Sequence, residues 1–370
     1  MHFQPVDHVP DEEFGYWEET LDIWHAQGLP EWVDDDAKAG GFFGLAGRAA
    51  APIDVGMRPG FEYKVLEEDE RHLVVIDGDG ATKMVNKDGA SSIPKYLKFP
   101  IETHRDWEDF RDKRLDPREP GRFPEEQDWQ KFKLSAKDHE YPLGIIIGSL
   151  FGRIRDWMGF ENVSYAIMDD PVWVREIIDH LGMLIYTTIE RAIKEVDFDF
   201  AAGWEDMCFN HGPILQPKYF EEWMCPNYKR ICDLLKDNGC DVVQVDCDGN
   251  INELVPHWLA AGVNCMFPIE VRGGTDPVKL REKYGRRVLL AGGVDKTRLI
   301  AGKEAIREEV LKLKPLVEDG GYIPHVDHRC PPDVTYENYL YYLKFKRETY
   351  GIGEPEDGLG IWRRTRANLP

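Results

Sequence analysis

Asp246 and Asp248 stand two residues apart at the end of the apolar run VVQVDCD, residues 242–248. Alternate residues of a strand face the same way, so both carboxylates address one side while Cys247 between them faces the core. Two carboxylates in one place resist double ionisation unless a proton, a cation or an arginine compensates them. Glu270 ends a second such run, FPIE, and His328 lies in the DHRC stretch that follows a third. One reading is a divalent metal, zinc, iron or manganese, held by Asp246, Asp248, Glu270 and His328, with a position left open for water or substrate. The other is a metal-free site for proton transfer and hydrogen bonding; the expected catalytic residues are Glu270 and His328, as acid or ligand, and Asp246, which with Asp248 orients them. Capping of the helices that follow is the structural alternative for all of these acids. Neither HExxH nor CxxC occurs to favour a metal.

Further groups fall near the ends of neighbouring runs. Glu205 and Asp206 follow FDFAAGW, where either could take a substrate proton, orient an arginine or cap the next turn. Trp204, Phe209, Phe267 and Tyr322 are placed to line a cavity for an aromatic or macrocyclic compound, although most aromatic residues pack in ordinary cores. Asp295 follows Gly292 and Gly293, a pair that permits close backbone approach to a ligand or forms a tight turn. Arg153 and Arg155 in FGRIR offer positive charge to a carboxylate or phosphate, or neutralise an acidic surface. His325 reads as structural, with Asp327 bracing His328 or a loop, and Cys330 reads as packing more than as a ligand or nucleophile.

These residues need a scaffold that gathers strand ends. From residue 141 onward apolar strand runs alternate with helical segments: a strand at 142–150, a helix at 170–193 opened by Asp-Pro, then helices at 218–238, 251–261, 277–284, 303–318 and 335–348 with strands between them. At least five strand-helix units in one register predict a (β/α)8 barrel, whose pocket lies at the C-terminal ends of its strands. An open doubly wound sheet is the alternative, but GxGxxG and GxxxxGK[ST] phosphate loops are absent. Residues 61–85 predict an antiparallel hairpin turned at DGDG, residues 12–26 a helix, and residues 105–130 a solvated helix and loop. The expected organisation is an N-terminal extension at 1–130 carrying a small antiparallel sheet packed on the barrel, the main part of the barrel at 131–350, and a C-terminal tail at 351–370.

Composition narrows the partners. The chain of 370 residues carries 68 Asp and Glu against 46 Lys and Arg, a formal net charge of -22, and shows no basic groove, so neither nucleic acid nor an anionic membrane surface is expected. No apolar run is long enough to span a bilayer, and the first residues do not resemble an export signal, which points to a cytoplasmic protein. Seven cysteines without tight spacing suggest reduced thiols. The sequence leaves the oligomeric state open, a homodimer included.

The pieces AGWEDM, FEEWMCPNYKRI, DVVQVDCDGN, FPIEV, LLAGGVD and GGYIPHVDHRCPPDVTYENY occur in an order that resembles the uroporphyrinogen decarboxylase superfamily, which includes the decarboxylase and corrinoid-linked methyltransferases. The resemblance runs from about residue 141 to 350 and implies a barrel with its pocket at the strand C-termini. Zinc-dependent methyltransferases of the superfamily use a His-x-Cys-Gly pair and a later Cys. Asp246-Cys247-Asp248-Gly249 stands in the first place here and His328 in the second, so harder donors replace thiolates. That departure counts against activation of a thiol substrate. The decarboxylase's arginine-rich N-terminal loop and early aspartate motif are also missing, with His328-Arg329 only loosely in the place of its final His-Gly. The resemblance therefore implies a methyltransferase that moves a methyl group from a small O- or N-methylated donor, such as a methoxylated aromatic, to cobalamin carried by a separate corrinoid protein. Trp204, Asp206, Phe267, Asp295, Tyr322 and Arg153 are its expected substrate-binding residues. A lyase acting on a small carboxylic acid, without a cofactor, and a noncatalytic ligand-binding barrel are the alternatives.

Overall fold

The computed structural model describes residues 1–4, 6, 8–87, 94–139, 141–353 and 355. The chain opens with α1 (Glu18–His25) and α2 (Asp36–Phe43), then β1 (Ala49–Ala50). A four-stranded antiparallel sheet follows, made of β2 (Lys64–Glu68), β3 (His72–Ile76), β4 (Thr82–Asn86) and β5 (Lys95–Lys98), and then α3 (His104–Arg114) and α4 (Glu126–Ser135). The predicted turn at DGDG joins β3 to β4, where Asp77 accepts hydrogen bonds from the backbone N–H groups of Asp79 and Ala81. The fourth strand of this sheet was not foreseen. Residues 105–130 are less solvated than their charge suggested, because Trp107, Phe110, Trp129 and Arg122 are all buried.

The alternating half begins at β6 (Leu143–Gly148) and continues through α5 (Phe151–Met158), α6 (Phe160–Asp169) and α7 (Pro171–Glu195) to β7 (Phe200–Trp204). Asp170 accepts from the Trp173 N–H and Pro171 sits in the first turn of α7, the start that Asp-Pro predicted. A two-stranded hairpin, β8 (Cys208–Phe209) and β9 (Gly212–Pro213), precedes α8 (Pro217–Tyr219), which passes through a π-helical turn into α9 (Cys225–Asp237). Next come β10 (Val243–Asp246), α10 (Val255–Ala261), β11 (Cys265–Phe267), α11 (Pro277–Tyr284), β12 (Leu289–Ala291), α12 (Lys296–Ala301), α13 (Lys303–Asp319), β13 (Tyr322–Ile323) and α14 (Tyr336–Tyr350).

Strands β1, β6, β7, β10, β11, β12 and β13 pair in that order, all parallel. Arg48, just before β1, donates to the Gln244 side chain on β10 at 3.0 Å. Two strands separate β1 from β10 in the sheet, so this bond crosses the interior of a sheet curled on itself. The gap between β13 and β1 is filled by the extended segment 11–17. The Ala46 N–H donates to the Asp11 carbonyl, the Val326 N–H donates to the Glu13 carboxylate, and Gly15 and Trp17 exchange backbone hydrogen bonds with Cys330. The result is the TIM-barrel fold with a small antiparallel sheet near its N-terminus. The barrel thus draws on residues before 131, through β1 and the closing segment.

Residues 12–17 were predicted to be helical and are not. Acids there meet cations brought from far along the chain: Lys346 lies 2.8 Å from Asp11 and 2.7 Å from Glu13, and Arg48 pairs with Glu12. Pairing of buried carboxylates with fixed cations on α14 and beside β1 outweighs local helix propensity.

Side-chain alternation then sorts the strands. Ala201, Val243, Val245, Met266, Leu290 and Tyr322 face the helices and are buried in the main core. Val242, Cys265, Leu289, Ala291 and Ile323 face the lumen and, with Phe200, fill its lower part above Met1 and Phe3. Higher up, the lumen-facing Trp204, Asp246 and Phe267 remain only half-buried, so the barrel is open at the C-terminal ends of its strands. Gly292, at φ 96°, ends β12; a Cβ there would sit 1.8 Å from the Pro268 carbonyl oxygen, so only glycine lets the β11 and β12 ends approach. Among the described residues no helix is long and apolar enough to cross a membrane.

Candidate active site

The upper lumen is a ring of carboxylates. Asp246 ends β10 in register with Trp204 on one side and Phe267 on the other. Asp206, two residues beyond β7, has a left-handed φ of 42° and accepts a hydrogen bond from the Asp248 backbone. Asp206, Asp246 and Asp248 therefore share one mouth, as the two-residue spacing of the last two required. Cys247 faces the other way, fully buried, with its sulfur accepting from the Met207 N–H at 3.4 Å.

Crowding sets the protonation of this cluster. Burial, then the charges of Asp206 and Asp248, push the Asp246 carboxyl up to about 8. The same physics raises Asp206, through burial first and Asp248 second, against the opposing pull of Arg155. Arg155 also donates to the Asp206 carbonyl oxygen, which holds that strained residue in place. At neutral pH Asp246 thus carries a proton in a partly water-excluded site. Asp248 offers a complement: its Oδ1 is buried without a hydrogen-bond donor, while its Oδ2 lies 3.2 Å from His328 Nε2.

His328 and Glu270 complete the rim. The His328 ring stacks on Trp17 with centroids 5.5 Å apart and meets the edge of Phe14 at the same distance, so the closing segment 11–17 fixes its orientation. Glu270 accepts from the Gly249 N–H at 3.1 Å and from Lys296 Nζ at 3.0 Å. Asp327, fully buried, accepts from the backbone N–H groups of Val271 and Lys296, and burial pushes its carboxyl up to about 6 against the pull of Lys296. Lys296 was not anticipated. Only its place directly after Asp295 at a strand end hinted at it.

The expected site divides on inspection. Asp206, Asp246, Asp248, Glu270, His328, Trp204 and Phe267 reach the mouth. Tyr322 does not: it points outward from β13 and donates its hydroxyl to the Gly292 carbonyl at 2.7 Å, because the β13 alternation turns Ile323 inward instead. Asp295 is buried as the N-cap of α12, accepting from the Thr297 N–H and pairing with Arg272 at 2.9 Å, a helix-start role rather than a ligand contact. Arg153 lies 3.5 Å from Asp79 and over the Trp204 ring at 5.0 Å, so it ties the antiparallel sheet to the rim. Cys330 is buried in backbone pairing with the closing segment, the packing role read for it.

Glu205 caps a helix, though not the one after it. It accepts from the N–H groups of Leu150, Phe151 and Gly152 and from the hydroxyls of Ser149 and Tyr228, at the start of α5. Replacing Glu205 by Ala leaves these donors unpaired and is expected to lower the unfolding free energy by about 1–3 kcal/mol. Urea denaturation checks it; an unchanged midpoint contradicts the capping role.

The side chains do not fit a resident metal as they stand. Glu270 has both oxygens committed, to Lys296 and Gly249, and among the described residues no three His, Cys, Asp or Glu side chains form a group able to hold an ion.

Known proteins bear on this arrangement. Residues 83–349 match the family model for uroporphyrinogen decarboxylase (URO-D). A uroporphyrinogen decarboxylase from Campylobacter lari is 21% identical over 193 residues, 51% of this chain and 53% of that protein. The chain thus aligns with about half the length of this curated relative. A solved structure of a methyltransferase from Methanosarcina mazei superposes with a TM-score of 0.57 at 16% identity, over 94% of this chain and 96% of that one, a likeness of fold. With a family model spanning well over half its length, a parallel barrel and acids gathered where its strands end, the chain belongs to the uroporphyrinogen decarboxylase family of enzymes.

Proposed function

We propose that this chain is a methyltransferase that moves a methyl group from a small O- or N-methylated donor, such as a methoxylated aromatic, to the cobalt of cobalamin carried by a separate corrinoid protein. The observation that carries this reading is Asp246, an inward-facing carboxyl that holds its proton at neutral pH in the barrel mouth. An ether or amine surrenders its methyl group only if the departing heteroatom is neutralised as the carbon–heteroatom bond breaks. Cobalt(I) of the acceptor substrate supplies the electron pair for the new Co–CH3 bond. The pair of the old bond passes to oxygen or nitrogen, and the Asp246 proton passes to that atom. Methylcobalt(III) and the demethylated alcohol, phenol or amine are the products. The Asp246 anion left behind sits beside Asp206 and Asp248, so it regains a proton from solvent before the next turnover.

Other groups position. The unpartnered Asp248 Oδ1 accepts from a donor on the substrate, His328 holds the other oxygen of that carboxylate, and Lys296 holds Glu270 as a wall of the pocket. Trp204 and Phe267 flank the proton from either side.

The test is an anaerobic screen of methylated donors with enzyme and cobalt(I) cobalamin, followed by the cobalt spectrum, with metal analysis of the same sample and carbon dioxide collected from small carboxylic acids. Enzyme-dependent loss of cobalt(I) with formation of methylcobalt(III) supports methyl transfer. Carbon dioxide release without cobalt, and no cobalt change with any donor, replaces the reading by decarboxylation.

A further inference from the structure

The peptide that follows Asp248 is clamped by both of its polar groups. Gly249, at φ 81°, donates its N–H to Glu270 at 3.1 Å, and its carbonyl accepts from the Thr275 hydroxyl at 2.9 Å. The same hydroxyl oxygen accepts from the Ile251 N–H at 3.2 Å, so one fully buried threonine ties two backbone groups of the turn leaving β10. Space is equally tight. A Cβ on Gly249 would lie 2.8 Å from the Cys208 carbonyl oxygen, and one on Gly273 would lie 2.7 Å from Gly249 Cα. Gly249 is therefore held between the segment after β7, which carries Asp206, and the segment after β11, which carries Glu270.

The clamp is itself anchored. Lys296 Nζ lies 3.0 Å from the second oxygen of Glu270, and the Asp327 carboxylate accepts from the N–H groups of Val271 at 3.0 Å and Lys296 at 3.1 Å. The Asn252 side chain donates to the Gly274 carbonyl at 3.0 Å, and the Asn250 N–H to the Phe209 carbonyl at 2.9 Å. Segment 270–275 thus joins the stretches beyond β10, β11, β12 and β13. A threonine whose one hydroxyl hydrogen is given to a backbone carbonyl has no proton for a substrate, and a glutamate with both oxygens taken is no free base. Both act on Asp248 instead, whose Oδ2 lies 3.2 Å from His328 and whose Oδ1 is buried without a partner.

We infer that Thr275 and Glu270 are positioning residues: together they fix the Gly249 peptide and so hold the Asp248 carboxylate beside Asp246 and Asp206. The inference rests on the proposed methyl transfer for what this placement achieves, whereas the clamp itself is measured without cobalt or a methyl donor. Thr275 carries the larger share, since it holds two backbone groups where Glu270 holds one.

Three variants of the full chain test it by NMR. Thr275→Val keeps the outline of the side chain without its hydroxyl, Thr275→Ser keeps the hydroxyl, and Gly273→Ala presses on Gly249 from the other side. In Thr275→Val the Ile251 amide should exchange with deuterium about tenfold faster, having lost its acceptor. The Asp246 carboxyl, still raised by burial and by Asp206, should titrate about one pH unit lower than in the unaltered chain as Asp248 moves away. Gly273→Ala should shift that titration as well, and Thr275→Ser should match the unaltered chain in both readings. An Asp246 titration unmoved in both Thr275→Val and Gly273→Ala would overturn the assignment and leave the methyl-transfer reading standing. So would a Thr275→Ser chain that titrates like Thr275→Val, because the hydroxyl would then not be what holds Asp248. The stated shifts in a protein that transfers no methyl group would support the clamp and sink the reaction alone.

Discussion

Asp246→Asn lowers the rate of methyl transfer by about 10²- to 10⁴-fold, the range typical for loss of a positioned general acid. Asparagine keeps the shape and burial of the side chain but brings no transferable proton. The unaltered enzyme should lose activity as pH rises through about 8, where the Asp246 carboxyl ionises, whereas the residual activity of the variant should be level there. The variant that loses activity should gain stability at high pH. A carboxyl whose folded value lies above its unfolded one gives its full stability below the unfolded value and loses it as pH rises through the folded value. Native stability therefore declines between about 4 and about 8 for this group, and Asp246→Asn, which cannot ionise, should gain on the order of 5 kcal/mol over the native chain at pH 8 and little at pH 4. A rate profile and urea unfolding at both pH values check the pair. An active variant, or one whose relative stability ignores pH, removes Asp246 from the reaction.

Lys346→Met should cost about 3–5 kcal/mol in unfolding free energy at neutral pH, because it strands Glu13, buried away from water, and leaves Asp11 with Arg347 alone. The Lys346 side chain is fully buried on α14, 2.8 Å from Asp11 and 2.7 Å from Glu13. Burial raises the Glu13 carboxyl, whereas at Asp11 the charges of Lys346 and Arg347 outweigh burial and lower it. Without the lysine both carboxyls rise, so protonation relieves the damage and the deficit should shrink as pH falls toward 5. Function should suffer with stability, since the same segment carries Phe14 and Trp17 against His328. Equal midpoints for both proteins at pH 7 contradict this account of how the barrel closes.

The alternating half of the chain was legible because each of its elements satisfies itself locally. The helix expected at 277–284 is α11, Pro277–Tyr284, capped by Asp276 with proline in its first turn. Asp246 and Asp248 were readable as a pair because strand parity is fixed within one run. Parity between a strand and the sheet is another matter. In YIPHVDH both Tyr322 and Ile323 are apolar, and only the burial of Tyr322 in the main core, with its hydroxyl donated to the Gly292 carbonyl, reveals that the tyrosine faces the helices. The closing segment 11–17 was missed for a different reason. Its partners, Arg48, Cys330 and Lys346, are supplied by other parts of the fold, and no local pattern announces a carboxylate that will meet a lysine more than 300 residues away. Lys296 and Arg155 share this property, since a single cation beside a strand end looks the same whether it braces a site or meets solvent. The tail at 351–370 lies outside the described residues apart from 351–353 and 355.

Direct titration of Asp246 tests the central claim. In protein labelled with ¹³C at the aspartate carboxyls, the resonance missing from Asp246→Asn identifies the group, and its shift is followed from pH 4 to pH 9. The crowded mouth predicts a carboxyl still protonated at pH 7 that titrates near 8. A carboxylate already ionised by pH 5 would show that the three aspartates do not crowd one another, and the proton on which the proposed chemistry depends would not be there.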